Sequence, residues 1–376
     1  MSSEALAQPV ISASELQSWL QQGRPVVVVD IRRKADRCEW HIPGSLHVDA
    51  YDALKAGDTS PLQRLALPTD RPVVTVCQHG ETARLATRTL VALGFDARTL
   101  AGGMQAWSLA WNTAVVPLEG SPARVVQVRR TGKGCLSYLI GSGGDAVVID
   151  AAVDPTVYVQ LAAENGWRIR RLFETHVHAD HLMRTRALAE LTGAALHLPR
   201  QRRVSYPFTP VDDGEQWEIG ETRMTFLHTP GHTEESMCCL LDGAALFTGD
   251  TLFVDGVGRP DLEAPEPGAV WMHARRLYGS LQKLAQLGEP TWVLPGHAGQ
   301  PVPFDGRPVA AALGEVKSRI ADLLALDEEA FAAQLVRRIP ETPPNYREIV
   351  RLNETGGPWP ADPTALELGP NRCAVA

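Results

Sequence analysis

The sequence predicts an α/β protein of two domains, a parallel sheet flanked by helices followed by a layered αββα sandwich. Up to about residue 111, strand and helix signals alternate; residues 112–124 form a break containing Pro and Gly; from Val125 onward, short strands follow one another closely. The 376 residues suffice for two domains, each with its own core.

In the first segment, residues 10–111, Ser12-Ala13-Ser14-Glu15 is a capping-box pattern ahead of Leu16 to Leu20, and Val26 to Val29 is a fully apolar strand. A second buried strand, Val73 to Val76, runs straight into Cys77, and the next helix is expected from about Thr82 to Leu93, closing at Gly94. Asn112 to Arg124, with Pro117, Gly120 and Pro122 inside, reads as a linker. Strands at Ser137 to Ile140 and Ala146 to Ile149 belong to the second domain, residues 125–305. The C-terminal extension, residues 306–376, is expected to pack on that domain through helices at Val309 to Leu324 and Glu328 to Val336, with loose order beyond Pro358.

A formal net charge of -8, with no basic cluster longer than pairs such as Arg129-Arg130 and Arg202-Arg203, argues against a nucleic-acid partner. The N-terminal residues lack a signal-peptide pattern and no apolar run reaches bilayer length, so a cytoplasmic protein without a membrane partner is expected. Six cysteines without Cys-x-x-Cys spacing are too few for a disulfide scaffold and are expected to be reduced. Cys238 and Cys239, neighbours in a strand, should point to opposite faces and pack in the core.

Thr175-His176-Val177-His178-Ala179-Asp180-His181 places four potential metal ligands within six residues, a pattern with little sense as a packed core. Further donors stand in Thr229-Pro230-Gly231-His232-Thr233, Phe247-Thr248-Gly249-Asp250-Thr251 and Leu294-Pro295-Gly296-His297. Each follows an apolar, strand-like stretch and sits at a Gly-containing turn, so strand ends would bring them together. Histidine and carboxylate donors without thiolate suit zinc and non-heme iron equally on composition, and enough ligands are present for two metals.

The order of these blocks resembles the metallo-β-lactamase superfamily over roughly residues 123 to 300. Within it, Glu174 to His181, Phe247 to Phe253 and Gly258-Arg259-Pro260-Asp261 are similar to the persulfide dioxygenases. That resemblance implies one Fe(II) per chain held by His176, His232 and Asp250, a 2-His-1-carboxylate triad with one open face for a thiol persulfide and O2. It makes His178, Asp180, His181 and His297 outer groups that orient ligands, or holders of a second metal. Arg259 and Asp261 would form a structural ion pair supporting the iron loop or contact a glutathione carboxylate. Leu182-Met183-Arg184 and Ala298-Gly299-Gln300 depart from the family's usual runs beside the metal loops.

In the first domain, Cys77-Gln78-His79-Gly80-Glu81-Thr82 is a tight loop between a strand and a helix N-terminus, an arrangement that favours a thiolate and holds an anion above it. The loop, with Asp30-Ile31-Arg32, His41-Ile42-Pro43-Gly44-Ser45 and Leu100 to Trp107, resembles the rhodanese sulfurtransferases. The resemblance implies that Cys77 carries sulfane sulfur. The family often has Arg where this chain has Thr82, and Gly where it has Trp40; Arg84 is the candidate to supply the missing charge. Cys-x5-Arg phosphatase chemistry is disfavoured because position 83 is Ala83.

Together the resemblances imply a sulfurtransferase fused to a persulfide dioxygenase, oxidising glutathione persulfide with O2 to sulfite and thiol, with glutathione as thiol carrier. The expected partners are small molecules: glutathione persulfide, O2, thiosulfate and sulfite; a homo-oligomer is compatible with this reading. The alternative is a dinuclear zinc thioester hydrolase of the glyoxalase II type with an accessory rhodanese domain. A third reading, a persulfide sensor using Cys77, requires loss of activity at both sites.

Overall fold

In the computed structural model, which describes residues 9–263, 266–369 and 371–375, the first domain is built on a parallel five-stranded sheet. Its order is Val10–Ile11, Ala97–Leu100, Val73–Val76, Val27–Asp30 and Leu46–His47, and every pairing is parallel. Ser12 caps the helix Ala13–Gln21 by accepting from Glu15 N at 3.0 Å. The helix Glu81–Ala92 starts after Gly80, whose φ of +88° closes the Cys77 loop.

The second domain faces a seven-stranded sheet with a six-stranded one. Val125, Tyr138, Ile149 and Phe173 of the first meet Trp217, Phe226, Cys239 and Phe247 of the second in one core. Helices Pro155–Glu164 and Thr185–Thr192 cover one outer face, and Pro267–Leu284 with the C-terminal helix Glu328–Arg337 covers the other. This is the αββα sandwich, and Cys238 and Cys239 do lie on opposite faces of their strand, in different core clusters. All six cysteines are free.

Three expectations need correction. Asn112–Val116, read as linker, is an edge strand paired antiparallel with Arg124–Arg129. Asn112, Ala114 and Val116 turn inward with a period of two, and Arg129 Nε donates to Asn112 Oδ1 at 2.7 Å, a pattern masked by the Pro and Gly that follow. The stretch Val309 to Leu324 is not one helix: Ala311–Ala312 extends the six-stranded sheet beside Trp292, and helices Leu313–Arg319 and Ala321–Leu324 follow.

The segment after Pro358, expected to be loose, is anchored by polar contacts that hydrophobic patterning does not register. Glu367 is completely buried between Arg130 Nη2 at 2.8 Å and Arg184 Nη2 at 2.7 Å, and Ala374–Val375 pairs with Val257–Gly258. Arg184, one of the departures beside the first metal loop, is thereby a partner of the C-terminal extension. Trp40 packs into the domain junction, where its Nε1 donates to Thr131 O at 3.0 Å. No described helix is long and apolar enough to cross a membrane.

Candidate functional site

Sheet direction explains why distant sequence blocks meet. Ala245–Gly249 and Trp292–Pro295 are parallel neighbours, and two antiparallel steps make Thr222–His228 run the same way. The loops carrying Asp250, His297 and His232 therefore leave one edge, and Arg168–Phe173 of the facing sheet delivers His176 to it. Close approach requires Gly296: a Cβ there would stand 2.6 Å from Asp250 Oδ1.

The nitrogens of His176 and His232 and an oxygen of Asp250 lie within 4.8 Å of one another, all buried. His176 Nε2 and His232 Nε2 are 3.8 and 3.6 Å from Asp250 Oδ2. His232 Nδ1 bonds to Arg259 O at 2.8 Å, which assigns the proton to Nδ1 and leaves the Nε2 lone pair facing the carboxylate. Among the described residues, neither His176 Nε2 nor Asp250 Oδ2 has a hydrogen-bond partner, though both are buried. Buried polar atoms are rarely left so, and a cation among these three donors meets their unmet bonding capacity. The residues thus fit a metal. Burial favours the neutral forms; it lowers His176 and His232, while His297, His176 and His232 outweigh it at Asp250 and hold that carboxyl well below its usual range.

The other predicted donors are brought near but aim elsewhere. His297 joins two carboxylates, with Nδ1 2.6 Å from Asp250 Oδ1 and Nε2 2.9 Å from Asp180 Oδ2. Against the effect of burial, Asp180 and Asp250 raise His297 well above its ordinary value. His178 Nε2 turns to Glu174 Oε2 at 3.2 Å and Asp150 Oδ1 at 3.3 Å, in charge contact without hydrogen-bond alignment. Asp180, His181 and His297 form a second cluster with Cys135, their donor atoms again within 4.8 Å.

Asp150, Cys135 and Cys373 escaped the sequence reading. Asp150 accepts from Thr175 N at 2.7 Å and Oγ1 at 2.8 Å, and its φ of +54°, rare for a non-Gly residue, marks a constrained turn. Its signal was a carboxylate directly after the apolar strand Ala146 to Ile149. Cys135 stands beside Gly134 without a motif; its isolated backbone pairing with His297 and the 3.5 Å contact of its Sγ with Asp180 Oδ2 bring it in.

Arg259 is an internal brace: Nε and Nη2 grip Asp261 at 2.7 and 2.8 Å, and the remaining donors reach the carbonyls of Pro340, Glu341 and Arg372. All its donor groups are spent inside the protein, so it has none for a ligand carboxylate. Asn353 holds the first metal loop from behind, donating to His178 O at 2.8 Å and His181 O at 2.9 Å.

In the first domain, Cys77 ends its strand with Ala83 N donating to Sγ at 3.3 Å. Gly103 sits so tightly beneath the loop that a Cβ would collide with the Cys77 carbonyl. Arg84 is exposed on the helix and does not line the adjoining cavity; Arg32 and Arg33 line it, with Gln78 and His79.

The rhodanese-like domain family matches residues 12–110, and the metallo-beta-lactamase superfamily matches residues 130–297. The hydroxyacylglutathione hydrolase of Anaeromyxobacter dehalogenans is 32% identical over 263 residues, covering 66% of this chain and 95% of that protein. That of Rhizobium johnstonii is 34% identical over 157 residues, 41% of this chain and only 57% of the relative's length. Among solved structures, ETHE1 from Myxococcus xanthus is 30% identical, covers 61% of this chain and 96% of its own, and superposes with a TM-score of 0.53. A metallo-beta-lactamase from Staphylococcus aureus is 26% identical, covering 63% of this chain and 74% of its own, with a TM-score of 0.57. The chain belongs to the metallo-beta-lactamase superfamily and carries a rhodanese-like domain ahead of that fold.

Proposed function

We propose that the protein is a persulfide dioxygenase coupled to a sulfurtransferase, oxidising glutathione persulfide or a similar thiol persulfide to sulfite and thiol. The observation that carries this reading is the three-donor nest of His176 Nε2, His232 Nε2 and Asp250 Oδ2, with His178 engaged by Glu174 and Asp150 and His297 by Asp180 and the far oxygen of Asp250. The likeness to ETHE1 from Myxococcus xanthus along nearly its whole length supports it.

Fe(II) at this nest would supply the redox chemistry that brings a persulfide and dioxygen together. His176, His232 and Asp250 would hold it on one side. Arg259 O fixes the His232 ring, and His297 fixes the Asp250 carboxylate through Nδ1 while its Nε2 meets Asp180. Cys77 supplies the second chemistry: its thiolate takes the outer sulfur of thiosulfate and releases sulfite, or runs the reverse. The two domains share persulfide and sulfite, which gives the fusion its chemical logic.

A dinuclear thioester hydrolase is the second reading, favoured by the cluster of Cys135, Asp180, His181 and His297 and by the hydroxyacylglutathione hydrolase relatives. Purification without oxygen, metal quantification and oxygen uptake with glutathione persulfide separate the two. One iron per chain with sulfite release is the expected result. Two zinc ions, thioester cleavage and no oxidation after iron reconstitution overturn it.

A further inference from the structure

A cavity of about 310 Å³ opens beside the Cys77 loop, and three parts of the chain wall it. The rhodanese-like domain contributes Gln78 and His79, the two residues after Cys77, and Met104, whose N donates to the Cys77 carbonyl at 2.9 Å. Trp40, one of the departures from the rhodanese pattern, adds an apolar wall. Gly132 of the metallo-beta-lactamase domain and Leu368 and Gly369 of the C-terminal extension complete it; all three lie outside residues 12–110, the span matched by the rhodanese-like family.

These walls are tied to one another. Arg130 Nε donates to Ser108 O at 2.8 Å and its Nη2 reaches Glu367 Oε2 at 2.8 Å, so one buried guanidinium joins all three parts. Lys133 Nζ donates to Glu367 O and Trp40 Nε1 to Thr131 O, each at 3.0 Å. Gly132 lies so near the rhodanese-like domain that a Cβ there would collide with Trp107 O. The cavity is therefore a fixed product of the fusion.

Its lining suits a polar ligand with charges of both signs. Ser108 lines it and is 1% exposed, and its buried Oγ has no hydrogen-bond partner among the described residues, although buried hydroxyls are nearly always paired. Exposed Asp36 and Glu39 bring negative charge to the rim and exposed Arg33 brings positive charge, while Trp40, Met104 and Leu368 offer apolar surface between. A peptide thiol bearing an ammonium and carboxylates on short methylene stems matches this set, and cavities of about 300 Å³ hold ligands of that small size. A folded protein presenting its thiol on a surface would leave the Ser108 hydroxyl unmet.

We propose that this cavity is the acceptor site of the sulfurtransfer step and takes a small zwitterionic thiol of the glutathione class, so that all three parts of the chain choose the acceptor. This rests on the reading of Cys77 as the sulfur carrier. The Cys77 thiolate attacks the outer sulfur of thiosulfate; a Cys77 Sγ–S bond forms, the S–S bond of thiosulfate breaks, and sulfite leaves. The bound acceptor, its thiol proton released to solvent, attacks that outer sulfur; a new S–S bond forms on the acceptor, the Cys77 Sγ–S bond breaks, and Cys77 leaves as thiolate with no net oxidation. The product is a thiol persulfide, the substrate class proposed for the metal site.

The test measures sulfur transfer from thiosulfate by the full-length protein without oxygen, to glutathione and to cyanide, an acceptor with no groups for the cavity to hold. Ser108→Ala removes one hydrogen bond, Asp36→Asn removes a charge partner for the ammonium, and Leu368→Trp fills the cavity from the C-terminal side. In each, the preference in kcat/KM for glutathione over cyanide is expected to fall about tenfold, with the loss in the KM for glutathione rather than in kcat. Wild-type preference in Ser108→Ala and Leu368→Trp overturns the proposal, as do equal losses with both acceptors, which mark structural damage instead. Transfer to cyanide and to reduced thioredoxin but not to glutathione assigns a protein acceptor and overturns it too. Failure of the wild type with every acceptor sinks the Cys77 reading and this proposal with it, whereas cyanide turnover without discrimination among the variants sinks this proposal alone.

Discussion

Nδ1 of His297 lies 2.6 Å from Oδ1 of Asp250, so the carboxylate that faces His176 and His232 with its other oxygen is oriented by a fourth block of sequence. An outer-shell group of this kind tunes affinity without setting the number of ions. His297→Ala is therefore expected to weaken metal binding by about 10- to 100-fold while leaving about one ion per chain at saturation. Titration against a competing chelator measures both quantities, and a drop from two ions to one would place His297 in the ligand set of a second metal.

Asp250→Ala removes the only carboxylate in the three-donor nest. Oxygen uptake with glutathione persulfide should vanish, while sulfur transfer from thiosulfate through Cys77 persists. Normal uptake by this variant would refute the ligand assignment.

Cys77→Ser should give the reciprocal phenotype, with thiosulfate:thiol sulfurtransfer lost and oxidation of supplied glutathione persulfide retained. The two assays share no step when persulfide is supplied directly. Unchanged sulfurtransfer would show that Cys77 is not the carrier.

Glu367 predicts a stability effect and its pH dependence. Replacing it with Gln leaves Arg130 and Arg184 buried without their anion, a change expected to cost about 3–5 kcal/mol in urea unfolding. In the native protein, burial opposes ionisation of Glu367, but the two arginines outweigh it and hold the carboxyl well below its usual range. Below the unfolded value of about 4.3, the unfolded chain binds the extra proton first. This contribution is therefore complete above that pH and is lost as pH falls through the lower folded value. Loss of C-terminal anchoring under acid, followed by hydrogen exchange at residues 366–369, should appear in the wild type and be absent as a transition in Glu367→Gln.

Much of the site was legible because its chemistry is concentrated in short runs. His176, His178, Asp180 and His181 stand in one loop, and His232, Asp250 and His297 each follow a strand whose apolar residues announce it. The capping box at Ser12, the strand Val73–Val76 and the sandwich order were readable for the same reason, since they rest on local periodicity. Trp40 and Arg184 looked like departures because their roles lie in contacts with Thr131 and Glu367, which are 91 and 183 residues away in sequence. Arg84, chosen for its nearness to Cys77 along the chain, points to solvent instead.

The two domains, the donor types and the positions of Cys77 and the candidate metal-binding histidines were legible in the chain, because residue spacing and hydrophobic period are properties of neighbouring residues. Which donors share a cation-sized space, and which are engaged by neighbouring carboxylates instead, depends on strand direction and on distances of a few ångströms between remote loops, and so emerges from the fold. It also decided the fate of the last residues: a buried carboxylate paired with two distant arginines orders a segment with little hydrophobic pattern and brings Cys373 to Asp250.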